Sequence, residues 1–157
     1  MNLQNNIDII YIAFFNHERL KKSLLSLEKF FINSDLKINI VIFDNSNNLN
    51  LFNTYKICFE SIHKSFNVKY IFSNKNLGFG GGCNKAVRYC NSDLIMFLNC
   101  DTSFSSSSID NFKSILSYCN YSSPIVGPKI ITNNGLIHSS CFSFDPISIF
   151  LKPLRHI

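Results

Sequence analysis

A chain of 157 residues in which 46% are hydrophobic and only 16% charged is long and apolar enough to bury a core without disulfides or a structural metal, and is not a disordered tail. Its net charge of +5 comes from Lys and Arg scattered along the sequence, tightest at Arg19, Lys21, Lys22 and at Lys152, Arg155. With no aromatic-interleaved basic stripe, this argues against nucleic-acid binding and leaves a solvated basic face or attraction to an anionic surface or substrate.

Residues 7–14 are β-branched and aromatic almost throughout, as in a strand buried on both faces of a parallel sheet. Asn16 offers a cap, and Leu20, Leu24, Leu27 and Phe31 recur at helical spacing, so residues 17–32 are expected to form an amphipathic helix. Residues 38–43 form a second buried strand that stops at Asp44. The Asn- and Ser-rich stretch 44–53 reads as a loop, and Tyr55, Phe59, Ile62 and Phe66 mark another helix. Residues 68–72 give a third strand. A glycine-rich loop follows, then a short helix over 83–90 with Ala86 and Val87 inward, and a fourth strand at 94–98. Beyond Asp101 a serine run precedes a helix over 109–119. Residues 124–131 read as a strand, Asn133, Asn134 and Gly135 as a turn, and 136–140 as its hairpin partner. Strands alternating with helices at these lengths predict βαβ units, an α/β fold with a mostly parallel sheet flanked by helices, in one domain.

The cysteines at 58, 83, 90, 100, 119 and 141 form no CxxC pair, and no histidine is spaced to complete a zinc site,. The polar residues 1–6 do not resemble a signal peptide, so reduced thiols and a cytoplasmic location are expected. No apolar run reaches the ~18 residues of a spanning helix, which would keep any membrane contact peripheral.

In an open α/β sheet, ligands bind beyond the carboxyl ends of the strands. Three polar features fall there. Asp44 closes the second strand, although a lone aspartate in that place is also a common turn residue. Residues 74–84 follow the third strand with four glycines in the five positions 78–82, which would let main-chain N–H groups converge on an anion such as a diphosphate, or else form a turn that binds nothing. The stretch is neither a Walker A loop nor the dinucleotide fingerprint. Asn99-Cys100-Asp101 leaves the fourth strand, where Asp101 could hold Mg²⁺ or Mn²⁺ or merely cap the serine-rich turn.

Taken together, the ordered motifs resemble the rhamnosyltransferase-like branch of the family 2 glycosyltransferases. Phe15-Asn16 is similar to the aromatic-Asn pair that closes the family's first strand. Residues 41–46, Val-Ile-Phe-Asp-Asn-Ser, are similar to its Val-Asp-Asn-x-Ser segment. Residues 76–84 follow its Asn-x-Gly-Phe-Gly-x-Gly-x-Asn pattern, and Leu98-Asn99-Cys100-Asp101 resembles its Leu-Asn-Pro-Asp. Pro128, Gly135 and His138 are loosely similar to the segment that follows.

The resemblance implies a GT-A type nucleotide-diphospho-sugar-binding fold, incomplete at the C-terminus, with residues 7–103 as the donor half and 124–157 as the start of the acceptor side. It implies donor-binding roles for Phe15, Asn16, Asp44, Asn45, Asn76, Gly78, Phe79, Gly80, Gly81, Asn84, Asn99 and Asp101. Within that set Asp44 would contact the base, and Asp101 would hold the metal. The donor would be dTDP-rhamnose or a UDP-sugar, transferred with inversion to a lipid-linked saccharide acceptor at the inner face of the membrane during synthesis of a bacterial O-antigen or capsule. The family's general-base segment has no match, and Asp145 is not assigned that role. A non-catalytic nucleotide-sugar-binding module or partner subunit is the alternative expectation.

Overall fold

The computed structural model describes residues 6–62, 66–105, 109–118, 125–127, 130–132 and 134–138, and the chain divides into two units, 1–117 and 118–157. In the first unit β1 (Asn6–Ala13), β2 (Lys37–Asp44), β3 (Asn67–Phe72) and β4 (Leu94–Leu98) form a parallel sheet in the order β3-β2-β1-β4. Ala13 is in register with Asp44, Asp44 with Phe72, and Tyr11 with Leu98. The chain moves outward from β1 through β2 to β3, then returns to the other side of β1 for β4. Strand order therefore reverses between β1 and β4, the kind of place where open α/β sheets gather ligands.

Alternation along the strands divides the core. Ile7, Ile9, Tyr11 and Ala13 of β1 pack with Ile38, Ile40 and Ile42 of β2 against α1 (His17–Phe31), α2 (Leu49–Ile62) and α4 (Ile109–Tyr118). Ile10, Val41 and Phe43 face the other way, toward Ala86 of α3 (Gly78–Ala86). Leu20, Leu24 and Leu27 of α1 are all wholly buried, each worth ~1.5–3 kcal/mol relative to exposure. On the α3 side β4 is less covered, and Ile95 and Phe97 stand exposed.

Two expectations about the elements need correction. The stretch 44–53 is not all loop: α2 begins at Leu49 because Asn48 caps it, its Oδ1 accepting from the Leu51 N–H at 3.0 Å,. The glycines at 78–82 belong to α3 itself, which runs into a 3₁₀ turn at Val87–Tyr89, so no separate helix spans 83–90. A glycine run can stay helical where close packing needs its missing side chains.

In the second unit β5 (Ile130–Ile131) pairs with β6 (Ile137–His138) in an antiparallel hairpin, and Gly135 makes the turn at φ +78°. Residues 125–127 have no regular structure. The expected ends of that hairpin at 124 and 139–140, part of the serine run, and Asp145 lie outside the described residues. Among the described residues no helix is long and apolar enough to cross a membrane.

Candidate functional site

The carboxyl ends of β1, β2 and β3 are tied together by side chains rather than left as open loops. Asp44, at the end of β2, is wholly buried. Its Oδ2 accepts from His17 Nε2 at 2.8 Å and from the Tyr70 hydroxyl at 2.5 Å, and its Oδ1 accepts from the Ser46 N–H at 2.9 Å. Burial alone would raise the Asp44 pKa, but the hydrogen bonds from His17, Ser46 and Tyr70 outweigh it and hold the carboxyl below its ordinary value,. Burial first, and then the Asp44 carboxylate, hold the Tyr70 phenol well above its ordinary value, so it stays a donor. The resemblance assigns Asp44 to the nucleotide base, and the structure places that carboxylate inside the protein with both oxygens occupied.

Asn45 does a second piece of assembly. Its Oδ1 accepts from the Leu77 N–H at 2.9 Å, and its Nδ2 donates to Asn76 Oδ1 at 3.0 Å and to the Gly78 carbonyl at 2.9 Å. Asn76 Oδ1 also accepts from the Gly78 N–H at 2.8 Å. These bonds hold the entry of α3 beside β1 and β2. The glycines of α3 then separate by role. Gly78 sits at φ +69°, where other residues are strained,. A Cβ on Gly81 would lie 3.0 Å from Leu77 Cβ, and one on Gly82 would lie 3.1 Å from Ile12 Cγ2. A Cβ on Gly80 would meet nothing within 4 Å, and Gly80, unlike Gly78, is not at positive φ. Phe79 and Asn84 are exposed on the same helix.

Across the strand-order reversal, Cys100 is buried while Asn99 and Asp101 are exposed. The Cys100 thiol donates to the Ile12 carbonyl at 3.2 Å, and burial pushes its pKa up to about 12. Cys100 thus pins the start of the segment to β1 and leaves Asp101 at the surface. Among the described residues no group of three or more His, Cys, Asp or Glu side chains comes together to hold a metal. Asp101 fits a cation only in the manner of Mg²⁺ bound by one carboxylate together with substrate phosphates.

Phe15 and Asn16 lie between β1 and α1. Phe15 is 59% exposed at φ +54°, a left-handed conformation unusual for an aromatic residue,. Asn16 precedes α1 but does not cap it: its Oδ1 accepts from the Phe14 N–H at 2.9 Å, and no side chain caps the helix. The first-turn N–H groups of α1 are therefore left available, with the positive end of the helix behind them. A cavity of about 400 Å³ opens at this place, lined by Phe15, Asn16, His17, Glu18, Arg19, Leu51 and Tyr55. Tyr55 stacks on His17 with ring centroids 4.9 Å apart and donates to Glu18 at 2.6 Å. In the sequence Tyr55 reads only as a helix residue, and neither His17 nor Tyr70 has a site role. The only hint was a histidine directly after the aromatic-Asn pair.

The family model of glycosyl transferase family 2 matches residues 8–117 of the chain. Among solved structures the chain is similar to the 1–349 portion of S. aureus TarS, with a TM-score of 0.53 at 16% identity over 71% of this chain and 32% of that one. The same portion in complex with UDP gives 0.53 at 16% identity, covering 71% and 32%. In complex with UDP-GlcNAc it gives 0.55 at 17% identity, covering 71% and 31%. The chain thus spans about a third of the length of those TarS structures, and at such identities the likeness is one of fold. No curated protein sequence matches it.

Proposed function

The chain belongs to glycosyl transferase family 2, and from that premise we propose that it binds a nucleoside-diphosphate sugar at the strand-order reversal of its GT-A type sheet. The observation that carries this reading is the convergence of three elements on one edge: the uncapped start of α1, the glycine-built start of α3, and the exposed Asp101. Helix starts favour anions, and the open side of Gly80 would allow the backbone to approach a diphosphate,. Asp101 would hold Mg²⁺ or Mn²⁺ against the diphosphate, and the cation would supply stabilisation of the departing nucleoside diphosphate. Asn76, Phe79, Asn84 and Asn99 would line the same pocket, and Asn45 would hold its wall.

The donor of this reading is a UDP-sugar or dTDP-rhamnose, and the acceptor a lipid-linked saccharide reached from the cytoplasmic face, in the building of a bacterial surface polysaccharide. The fold likeness to a protein solved with UDP-GlcNAc supports the nucleotide-sugar class. A second reading is a donor-binding module that relies on other residues for catalysis. It rests on the described carboxylates at this edge: Asp44 is buried, Glu18 is hydrogen-bonded by Tyr55, and Asp101 is assigned to the cation.

Calorimetry with UDP, UDP-GlcNAc and dTDP-rhamnose, with and without Mn²⁺, tests the proposal. Nucleotide binding should tighten with Mn²⁺, and Asp101→Ala should remove that dependence while the melting temperature stays unchanged. Identical binding with and without the metal would remove Asp101 from the assignment, and failure to bind any nucleotide would overturn the reading as a whole.

A further inference from the structure

Asp101 is exposed, yet the short arch that carries it is fastened at both feet. The ladder between β1 and β4 stops at Tyr11 and Leu98. The Ala13 carbonyl turns toward β2 and accepts from the Asn45 N–H at 2.8 Å, so the preceding Ile12 carbonyl turns the other way, past the last ladder pair,. Its partner there is the Cys100 thiol, which donates at 3.2 Å, close for sulfur, from a side chain only 3% exposed. The first foot is thus a side chain standing in for a ladder bond. At the second foot the Phe104 N–H donates to Ser26 Oγ at 3.1 Å, and that hydroxyl donates to the Ser23 carbonyl at 2.7 Å. The Phe104 ring packs on the core with its centroid 5.0 Å from that of Phe30. Between the feet the Thr102 N–H donates to the Asn99 carbonyl at 3.1 Å, closing a turn with Cys100 and Asp101 at its corner,. Surface connections are ordinarily the mobile part of a fold. This one is tied to β1 on one side and to α1 on the other.

We propose that Cys100 and Ser26 are positioning residues for the cation, holding the Asp101 carboxylate in one place at the strand-order reversal. The inference rests on the reading of Asp101 as the carboxylate that holds Mg²⁺ or Mn²⁺ against a diphosphate. A cation held by one protein carboxylate takes its other ligands from phosphate and water. Its affinity then depends on how much motion that carboxylate gives up when the cation binds. A carboxylate on a loose loop loses much, and one already held loses little. The arch supplies that restraint without a second acidic ligand. Ile12 extends it across the site, because its carbonyl takes the Cys100 thiol while its side chain lies where a Cβ on Gly82 would come within 3.1 Å. One residue of β1 thereby sets the spacing between the carboxylate and the start of α3. If the two feet were structural staples and nothing more, loosening either would lower the melting temperature and leave the metal dependence of nucleotide binding as it was.

The test measures UDP binding to the full chain by calorimetry, with and without Mn²⁺, beside thermal melting of each variant. The parent chain should bind UDP more tightly with Mn²⁺. Cys100→Ala and Ser26→Ala should each weaken the Mn²⁺-dependent binding about tenfold, the scale of a lost support behind a metal ligand. Metal-free UDP affinity should stay within about twofold in both. Cys100→Ser keeps a donor for the Ile12 carbonyl and should retain most of the gain from Mn²⁺. The two feet stand on different elements, and Ser26→Ala removes a single hydroxyl from a half-buried place, so it reports even if Cys100→Ala melts below the assay temperature. Folded variants that keep the full gain, that lose metal-free and metal-dependent affinity equally, or in which Cys100→Ser is as poor as Cys100→Ala overturn this inference and leave the Asp101 assignment standing. A parent chain that binds UDP with no gain from Mn²⁺ removes that assignment and this inference together. A parent chain that binds no UDP overturns the nucleotide reading as well.

Discussion

The two ends of the sheet are built around the same device, a buried aspartate, and are finished differently. At the amino end Asp8 accepts from Asn39 Nδ2 at 2.7 Å, the Asn91 N–H at 2.5 Å, the Ser92 N–H at 2.9 Å and Ser92 Oγ at 3.0 Å. At the carboxyl end Asp44 is equally well satisfied, but its surroundings are not. There Phe15 and Asn47 adopt positive φ, α1 is uncapped, and His17 Nδ1 has no partner. One end has been closed for stability. The other carries strain and unmatched polar groups next to a cavity, and such costs persist where a ligand can offset them. The contrast lies in what surrounds each carboxylate, since burial and hydrogen bonding of the two are alike.

Exchanging each carboxylate for an amide is the sharpest way to break the comparison. Asp8→Asn sets an amide donor among existing donors and should lower the unfolding free energy by about 3 kcal/mol. At that distance from the cavity it should leave UDP affinity within about twofold. Asp44→Asn should cost similar stability and also weaken UDP. Urea unfolding and calorimetry on the two variants check this, and a matching loss of affinity in both would erase the distinction. Burial would raise the Asp8 pKa, but hydrogen bonds from Ser92, Asn39 and Asn91 outweigh it, so both carboxyls titrate below the ordinary 3.8 in the folded chain. Their contribution is therefore complete above that pH and is lost as pH falls through the lower folded values. The gap between the parent chain and Asp8→Asn should be widest near neutrality and close in acid.

The glycines of α3 sharpen the comparison within one helix. Gly82→Val drives a side chain into Ile12 and should destabilise by about 2 kcal/mol. Gly80→Val enters open space and should change stability by less than about 0.5 kcal/mol while weakening UDP about tenfold, the scale of one lost close contact. At Phe15 stability and binding should move in opposite directions. Relief of its left-handed backbone by Phe15→Gly should raise stability by about 1 kcal/mol while loosening nucleotide binding, a gain and a loss read from the same pair of measurements.

Much of the fold was legible because buried parallel strands announce themselves as unbroken β-branched runs. The Leu20, Leu24, Leu27 spacing likewise states its helix. The start of α2 was hidden because an Asn-rich stretch reads as loop until one of its residues, Asn48, is seen to cap. The helical glycines were hidden for a related reason, since propensity speaks against a helix that Asn45, Leu77 and Ile12 secure by packing and hydrogen bonds. At the candidate site the motif order singles out Asp44, Asn45, Asn76 and Gly80 but says nothing of the bonds they make. Asp44, Asn45 and Asn76 fasten one segment to another. The His17, Asp44, Tyr70 chain joins residues 27 and 26 positions apart in sequence, and no local pattern announces such a meeting.

The Asp8 cluster also bears on the order in which the chain folds. Its partners Asn91 and Ser92 lie 83 and 84 residues away along the chain, whereas β1, β2 and β3 pair in sequence order. Closing so long a loop delays its reward until most of the chain is in place. The three-strand ribbon can therefore assemble while the chain is still being synthesised, and β4 joins it late. The carboxyl edge where β1 and β4 lie side by side is completed only at that last step, so a chain caught earlier would hold three strands in place without the proposed donor site.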